Sequence, residues 1–268
     1  MRRLTEATRA IAKGNLDYRV PVKSKDELGQ LAQSFNKMAG DLSDSQQVRQ
    51  QMTADIAHDL RTPVSVIMGH AEAVKDGVLD AEETIHVIHD EAIRLNRLIY
   101  DLRTLSLADA GELSLVKRPT NILSLLKRVQ SAHLPHAQAK GIALDVNVAP
   151  NLPDVLLDPD RMAQVLDNLV SNGIRHTDEG GVTLTAEPLI QSNGSGVRLL
   201  VADTGIGISP EHLANIFNRF YRADASRHGS SSGLGLAIAK SIVEQHGGAI
   251  TAASTIDHGT TFIIDLST

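Results

Sequence analysis

The run Ala54-Asp55-Ile56-Ala57-His58-Asp59-Leu60-Arg61-Thr62-Pro63 brings a nucleophile, a carboxylate and a helix breaker together in ten residues. On a helix, Ile56 and Leu60 face inward. His58 lies on another face, with Arg61 and Thr62 one turn further on. A carboxylate at Asp59 can take a proton from one imidazole nitrogen and leave the other as a nucleophile. Pro63 has no N–H for the carbonyl of Asp59, so the helix is expected to bend or loosen just after His58. Taken alone, such a histidine is more often a surface residue on a helix with a tolerated proline.

Three further groupings could hold a ligand. In Asp167-Asn168-Leu169-Val170-Ser171-Asn172-Gly173-Ile174-Arg175, the steps of four and three put Asn168, Asn172 and Arg175 on one helix face. Two amide carbonyls facing a pocket suit a hard cation that keeps most of its waters, as Mg²⁺ does, and Arg175 adds a fixed charge for phosphate. Val165, Leu166, Leu169 and Val170 supply the core side. In Val201-Ala202-Asp203-Thr204-Gly205-Ile206-Gly207, a strand runs into a glycine turn. Gly205 and Gly207 permit a tight turn and close approach to a ligand. Asp203 is placed to accept from the exocyclic amine of adenine, whereas guanine presents a carbonyl there. In Gly229-Ser230-Ser231-Ser232-Gly233-Leu234-Gly235, a polar, glycine-rich stretch opens a helix whose free N–H groups suit phosphate. It matches neither the Walker loop nor the dinucleotide fingerprint. Each grouping by itself is also compatible with an ordinary helix end or turn.

The elements that must position these residues change character along the chain. Leu28, Leu31, Phe35, Met38 and Leu42 form a heptad seam, and Leu4, Ala7 and Ile11 a shorter one; Gly14 to Lys25 reads as an extended connector between two parallel helices. A long helix from about Asp44 to Lys75, a break at Asp76, Gly77 and Asp80, and a second amphipathic helix form a hairpin. It buries only one stripe unless two copies pair into a four-helix bundle. Beyond Asp109-Ala110-Gly111-Glu112 the pattern becomes mixed. Strands are expected at Ala143–Val148, Val182–Glu187, Val197–Ala202, Ala249–Ser254 and Thr260–Asp265, with helices near Ile122–Ala139, Asp160–Ile174 and Leu234–His246.

Composition narrows the chemistry. The 268 residues include no cysteine and no tryptophan, so disulfides, thiolate metal sites and cysteine nucleophiles are excluded. Aromatics are 3% and net charge is −6, which argues against nucleic-acid binding. Charged residues at 22% and hydrophobic residues at 42% fit a folded chain with a modest core. Residues 1–25 carry seven basic side chains against two acidic ones, the surplus that follows a membrane span on its inner side. No apolar run approaches the roughly 18 residues of a spanning helix. The chain is therefore expected to be soluble, and the surplus fits either a solvated helix face or the cytoplasmic portion of a plasma-membrane protein anchored through an upstream segment.

The order of these four groupings resembles a sensor histidine kinase of two-component signalling over nearly the whole length. Residues 1–43 look like a HAMP signal relay, with Asp26-Glu27-Leu28-Gly29 as its signature. Residues 44–108 look like the dimerisation and phosphotransfer hairpin, with His58 in the H box, followed by a hinge over 109–114. Residues 115–268 look like the catalytic ATP-binding domain of the GHKL superfamily, a two-layer α/β sandwich called the Bergerat fold. Asn168 and Asn172 fall in its N box, Asp203, Gly205 and Gly207 in the first glycine box, Phe217 and Phe220 in the F box, and Gly233 and Gly235, with Leu234 between them, in the second. Gly259-Thr260-Thr261-Phe262 fits the closing strand. The fold class implied is multidomain, α and α+β: a parallel coiled coil, a dimeric four-helix bundle and the sandwich.

The resemblance implies ATP and Mg²⁺ as cofactors, a homodimer, and a response regulator receiver domain as partner. It implies that His58 attacks the γ-phosphate with Asp59 as acid/base partner. Asn172 is then the main Mg²⁺ ligand with Asn168 in support, Asp203 holds adenine, and Arg222 contacts phosphate beneath a lid from Tyr221 to Ser232. Thr62 orients water for dephosphorylating the regulator. Ser231 departs from the pattern, standing where the second glycine box has its first glycine. The rivals are a GHKL ATPase, disfavoured because Asn168 replaces the glutamate base, and a non-catalytic coiled-coil adaptor.

Overall fold

The computed structural model describes residues 2–22, 26–191, 194–222 and 232–267. The chain divides into two compact units, Met1–Met68 and Gly69–Thr268.

In the first unit, α1 (Arg2–Ala12) is followed by a connector that reverses at Gly14, where φ is +89°. A main-chain pair fixes the connector to α2 (Glu27–Lys75): Val20 N–H donates to Asn36 Oδ1 at 2.8 Å, and Asn36 Nδ2 donates back to the Val20 carbonyl at 2.8 Å. Ala7, Val20, Ala32, Phe35 and Ala39 form the core, with Ile11 and Tyr18 packed against it. The single chain therefore uses a smaller-residue stripe than the heptad seam read from the sequence. Phe35 is buried, while Leu31, Met38 and Leu42 are exposed; small side chains let α1 and the connector approach closely. At Gly29 the N–H donates to Asp26 Oδ1 at 3.1 Å, capping the start of α2.

The helix expected from Asp44 is one continuous element of 49 residues that starts at Glu27 and keeps Pro63 inside it. The helix is therefore not broken after His58. Thr62 Oγ1 donates to the His58 carbonyl at 3.2 Å, a back-bond of the kind that often bends a helix.

In the second unit, α3 (Ala81–Asp109) starts where the Asp80 side chain accepts from the N–H groups of Glu82 and Glu83. It extends to the first hinge residue. After it come β1 (Arg118–Thr120), α4 (Ile122–Lys140), β2 (Ala143–Val148), β3 (Val155–Leu157), α5 (Pro159–His176), β4 (Gly181–Gln191), β5 (Gly194–Asp203), α6 (Pro210–Leu213), α7 (Gly235–Gln245), β6 (Ala249–Thr255) and β7 (Gly259–Ser267). Five strands form one mixed sheet in the order β2-β4-β5-β7-β6, in which only β2–β4 is parallel; β1 and β3 form a separate antiparallel pair. β1, β3 and α6 are three or four residues long and had no periodic signal to announce them. α4 contains Pro135 and still runs to a left-handed Gly141, where φ is +74°.

One face of the sheet is covered by α4, α5 and α7, giving two layers. Val182, Leu184 and Ala186 on β4, Val197, Leu199 and Val201 on β5, and Phe262, Ile264 and Leu266 on β7 are buried at alternate positions. Against them α5 presents Met162, Val165, Leu166, Leu169 and Val170, all fully buried. That leaves Asn168 and Asn172 on the opposite, half-buried side of the same helix. The start of α5 is fixed by Asp158, whose Oδ1 accepts from the N–H groups of Asp160 and Arg161, with Pro159 at the first helical position.

Candidate active site

The second unit gathers three of the four groupings around the ends of α5, β5 and α7. Asn168 Nδ2 donates to the Gly235 carbonyl at 3.0 Å. The N-box helix is thereby tied to the first residue of α7, and a Cβ on Gly235 would lie 3.4 Å from the Asn168 amide carbon. Leu234 is fully buried, so its side chain packs in the core, and what it offers outward is main chain. Gly233 takes φ +67°, and its carbonyl accepts from Phe220 N–H at 3.0 Å. Phe220 itself takes φ +58°, a conformation uncommon for a bulky side chain, at the meeting of F box and second glycine box. Phe217 stacks edge-on against Phe262 of β7 at 6.3 Å.

Asp203 ends β5 half-buried. Its Oδ1 accepts from Gly205 N–H at 3.0 Å and from Thr260 N–H at 3.2 Å. Both of these bonds fall on one oxygen. Burial raises its pKa, opposed by those two N–H donors and by the nearby His176 imidazole. The glycines of this turn differ from the expectation in what they approach. A Cβ on Gly205 would collide with the His176 carbonyl, and one on Gly207, where φ is +68°, with the Thr255 carbonyl. The close approach is therefore to the protein's own backbone. A hydroxyl chain braces the turn from the β6–β7 side: Ile208 N–H donates to Ser254 Oγ at 2.8 Å, and Ser254 Oγ lies 2.9 Å from both the Gly259 carbonyl and Thr260 Oγ1.

Arg175 has guanidinium neighbours. Its pKa is lowered by burial and then by the positive charges of Arg222 and Arg94. Arg94, on α3, was not singled out from the sequence, because it belongs to a surface stripe and forms a local pair with Glu91 at 3.1 Å. Among the described residues one buried side-chain polar atom lacks a hydrogen-bond partner, Thr177 Oγ1, on a residue with no solvent exposure. No cluster of three or more His, Asp or Glu side chains suited to a metal occurs among the described residues. A cation here would draw on the amide oxygens of Asn168 and Asn172 and on ligand oxygens. Ser231 and most of the expected lid lie outside the described residues.

The fourth grouping is in the first unit. On α2, His58 and Thr62 are exposed, Asp59 is half-buried and Pro63 is buried. The imidazole is thus presented to solvent, while the carboxylate one residue on is partly shielded.

Family models match the chain in three blocks: a HAMP domain over residues 1–44, a His Kinase A (phospho-acceptor) domain over 48–111, and a histidine kinase-, DNA gyrase B-, and HSP90-like ATPase over 157–268. The chain belongs to the sensor histidine kinases of two-component systems. It is 38% identical over 99% of its length to the signal transduction histidine-protein kinase BaeS of Escherichia coli (strain K12), of which it spans 57%. Among solved structures it resembles histidine kinase ThkA in complex with response regulator protein TrrA, with a TM-score of 0.64, 25% identity, and coverage of 84% of this chain and 63% of that one. It also resembles full-length ShkA in complex with AMPPNP, with a TM-score of 0.62, 31% identity, and coverage of 81% and 45%. In this chain the ATPase-family match begins at Leu157, yet β2 pairs with β4 over six residues. The sheet therefore reaches back to Ala143.

Proposed function

We propose that this chain binds Mg-ATP in its second unit, transfers the γ-phosphoryl group to His58, and passes it to an aspartate on a response regulator. The observation that carries the reading is the exposed imidazole of His58 within the phospho-acceptor match. It shares a chain with an acceptor at Asp203 and with Arg175, whose pKa is lowered by burial and by the charges of Arg222 and Arg94.

In this reading Asp203 accepts from the adenine amine. Arg175 and Arg222 bind phosphate oxygens, and the second glycine box, Gly233 to Gly235, presents main-chain N–H groups. Asn172 is the main Mg²⁺ ligand and Asn168 stands beside it, its amide nitrogen committed to Gly235. Mg²⁺ when bound supplies charge neutralisation on the phosphate oxygens. The His58 nitrogen that is free of its proton attacks the γ-phosphorus as the bond to the bridging oxygen breaks and ADP leaves. Asp59 holds the proton on the other nitrogen and stabilises the developing positive charge. Thr62, one turn from His58, can hydrogen-bond a water aimed at a docked regulator's phospho-aspartate. ThkA with TrrA supports a receiver domain as partner, and ShkA with AMPPNP supports an adenine nucleotide as ligand.

The exposed Ile85, Ile93 and Ile99 of α3 suit pairing of two copies. None of the helices among the described residues is long and apolar enough to cross a membrane. Attachment through an upstream segment, placing this portion on the cytoplasmic side, rests on the basic surplus of residues 1–25 and on the likeness to BaeS.

A hydrolytic GHKL ATPase would need a base at position 168, where this chain has an amide tied to Gly235. Steady-state phosphate release separates the two activities. The kinase reading expects protein-bound phosphate to rise toward the protein concentration with little free phosphate. Continuous release without protein-bound phosphate would contradict it.

A further inference from the structure

The helix that carries Asn168, Asn172 and Arg175 does not end on a left-handed residue: Thr177 follows α5 with φ −108° and ψ +118°, extended backbone. Such an end lacks the N–H groups that a Schellman or αL turn returns to the last carbonyls. Other donors serve here. Lys140 Nζ, on α4, donates to the Ile174 carbonyl at 3.0 Å and to the Arg175 carbonyl at 2.8 Å, and pairs with Asp178 Oδ1 at 3.0 Å. The next carbonyl, of His176, accepts from Ile206 N–H at 3.2 Å. Three consecutive carbonyls are thus held, two by one ammonium and one by the first glycine turn. Lys140 is itself fixed: it is the last residue of α4, and Gly141 N–H closes that helix on the Ala137 and Gln138 carbonyls. Two further ties set the helices side by side, Arg128 donating to the Pro159 carbonyl at 2.8 Å and His133 Nε2 lying 3.0 Å from Asp167 Oδ1. Lys140 is the tie at the end that bears Arg175.

We propose that Lys140 is a positioning residue for nucleotide binding: by donating to the Ile174 and Arg175 carbonyls it fixes the last turn of the N-box helix, and with it the backbone from which the Arg175 guanidinium reaches phosphate. This rests on the assignment of Arg175 to phosphate. An ammonium suits the task in two ways. It carries three donors on one nitrogen, enough for both carbonyls and Asp178, and its charge complements the negative end of the helix dipole. Without it the last turn loses two charge-assisted hydrogen bonds and frays more readily. Ordering Arg175 would then cost part of the free energy of binding.

Calorimetric titration of the intact chain with Mg-ATP, in wild type, Lys140→Met, Arg175→Ala and the double variant, tests this. Lys140→Met keeps the apolar length of the side chain and deletes the ammonium. It is expected to weaken ATP binding roughly tenfold, the factor carried by about 1.4 kcal/mol. In the Arg175→Ala background the same change is expected to cost less than about twofold, because a guanidinium that is gone needs no positioning; residues that act together are non-additive in this way. Lys140→Arg, which keeps the charge and the donors, should recover most of the affinity. Should Lys140→Met not fold, Lys140→Gln, which removes the charge and shortens the reach, carries the same comparison. A lysine that only stabilised the fold would weaken binding by the same factor in both backgrounds, and that result overturns the proposal, as does wild-type affinity in Lys140→Met. If Arg175→Ala binds ATP as tightly as wild type, the assignment of Arg175 to phosphate fails, which is a different result from failure at Lys140.

Discussion

Asn168 can be tested as a tie between two helices. Its Nδ2 donates to the carbonyl of Gly235 at 3.0 Å, joining the N-box helix to the start of α7. Asn168→Ala removes the donor. The lost bond is worth about 1 kcal/mol net, rising to about 3 kcal/mol if the half-buried carbonyl finds no other donor. For a domain of this size, roughly 2–4 °C of melting temperature accompanies each kcal/mol. The expected drop is therefore roughly 2–12 °C. Asn168→Asp is nearly isosteric but has no donor and sets a carboxylate against the carbonyl oxygen, so it should destabilise at least as much as alanine. The two roles of Asn168 respond oppositely to aspartate: an anionic oxygen strengthens a Mg²⁺ site and breaks the tie. The assay is thermal unfolding with Mg²⁺ titrations of ATP binding. An Asn168→Asp protein that melts like wild type and binds Mg-ATP more tightly would refute the tie and make Asn168 foremost a metal ligand.

Other outcomes follow from neighbouring geometry. Gly207→Ala places a Cβ on the Thr255 carbonyl at φ +68°; a cost of at least about 1 kcal/mol for the left-handed conformation alone, and weakened ATP binding by calorimetry, are expected. His246 accepts from Asp158 N–H at Nε2 at 2.9 Å and turns Nδ1 to the Ile242 carbonyl at 2.8 Å, and burial lowers its pKa from the ordinary 6.5. The unfolded chain takes up the proton first, so stability falls as pH drops below about 6.5; denaturant melts at several pH values should show a flatter acid limb in His246→Gln. Arg219 of the F box makes a bidentate ion pair with Asp109 at the hinge. Asp109→Asn should cost under about 1 kcal/mol, since the pair is partly exposed, and should speed limited proteolysis around Gly111.

What the sequence made legible was whatever repeats or must be glycine. The alternating apolar residues of β4, β5 and β7 and the one-sided face of α5 announced the two-layer domain, because burial on one face leaves a period. β1 and β3 were missed because three residues carry none. The α2 boundary near Asp44 was not visible in the fold because a helix passes from one sequence family to the next without any change of backbone. Pro63 did not interrupt the helix: it lies inside α2, although it offers no N–H to the Asp59 carbonyl. In the site, Asp203 and the asparagines could be read from their spacing. Arg94, Ser254 and Thr260 as a brace needed the fold, because each meets residues tens of positions away. The glycines of the first box let the turn lie against the carbonyls of His176 and Thr255, a contact that spacing alone does not reveal.

The central claim is that phosphate from ATP becomes covalently attached to His58. Incubating wild type and His58→Ala with γ-labelled ATP and Mg²⁺, followed by acid and alkali treatment of the protein, tests it most directly. The account predicts a label on wild type that survives alkali and is lost in acid, because protonation makes the imidazole a good leaving group, and no label on a His58→Ala protein that still binds ATP. An acid-stable label, or a labelled His58→Ala protein, would contradict it.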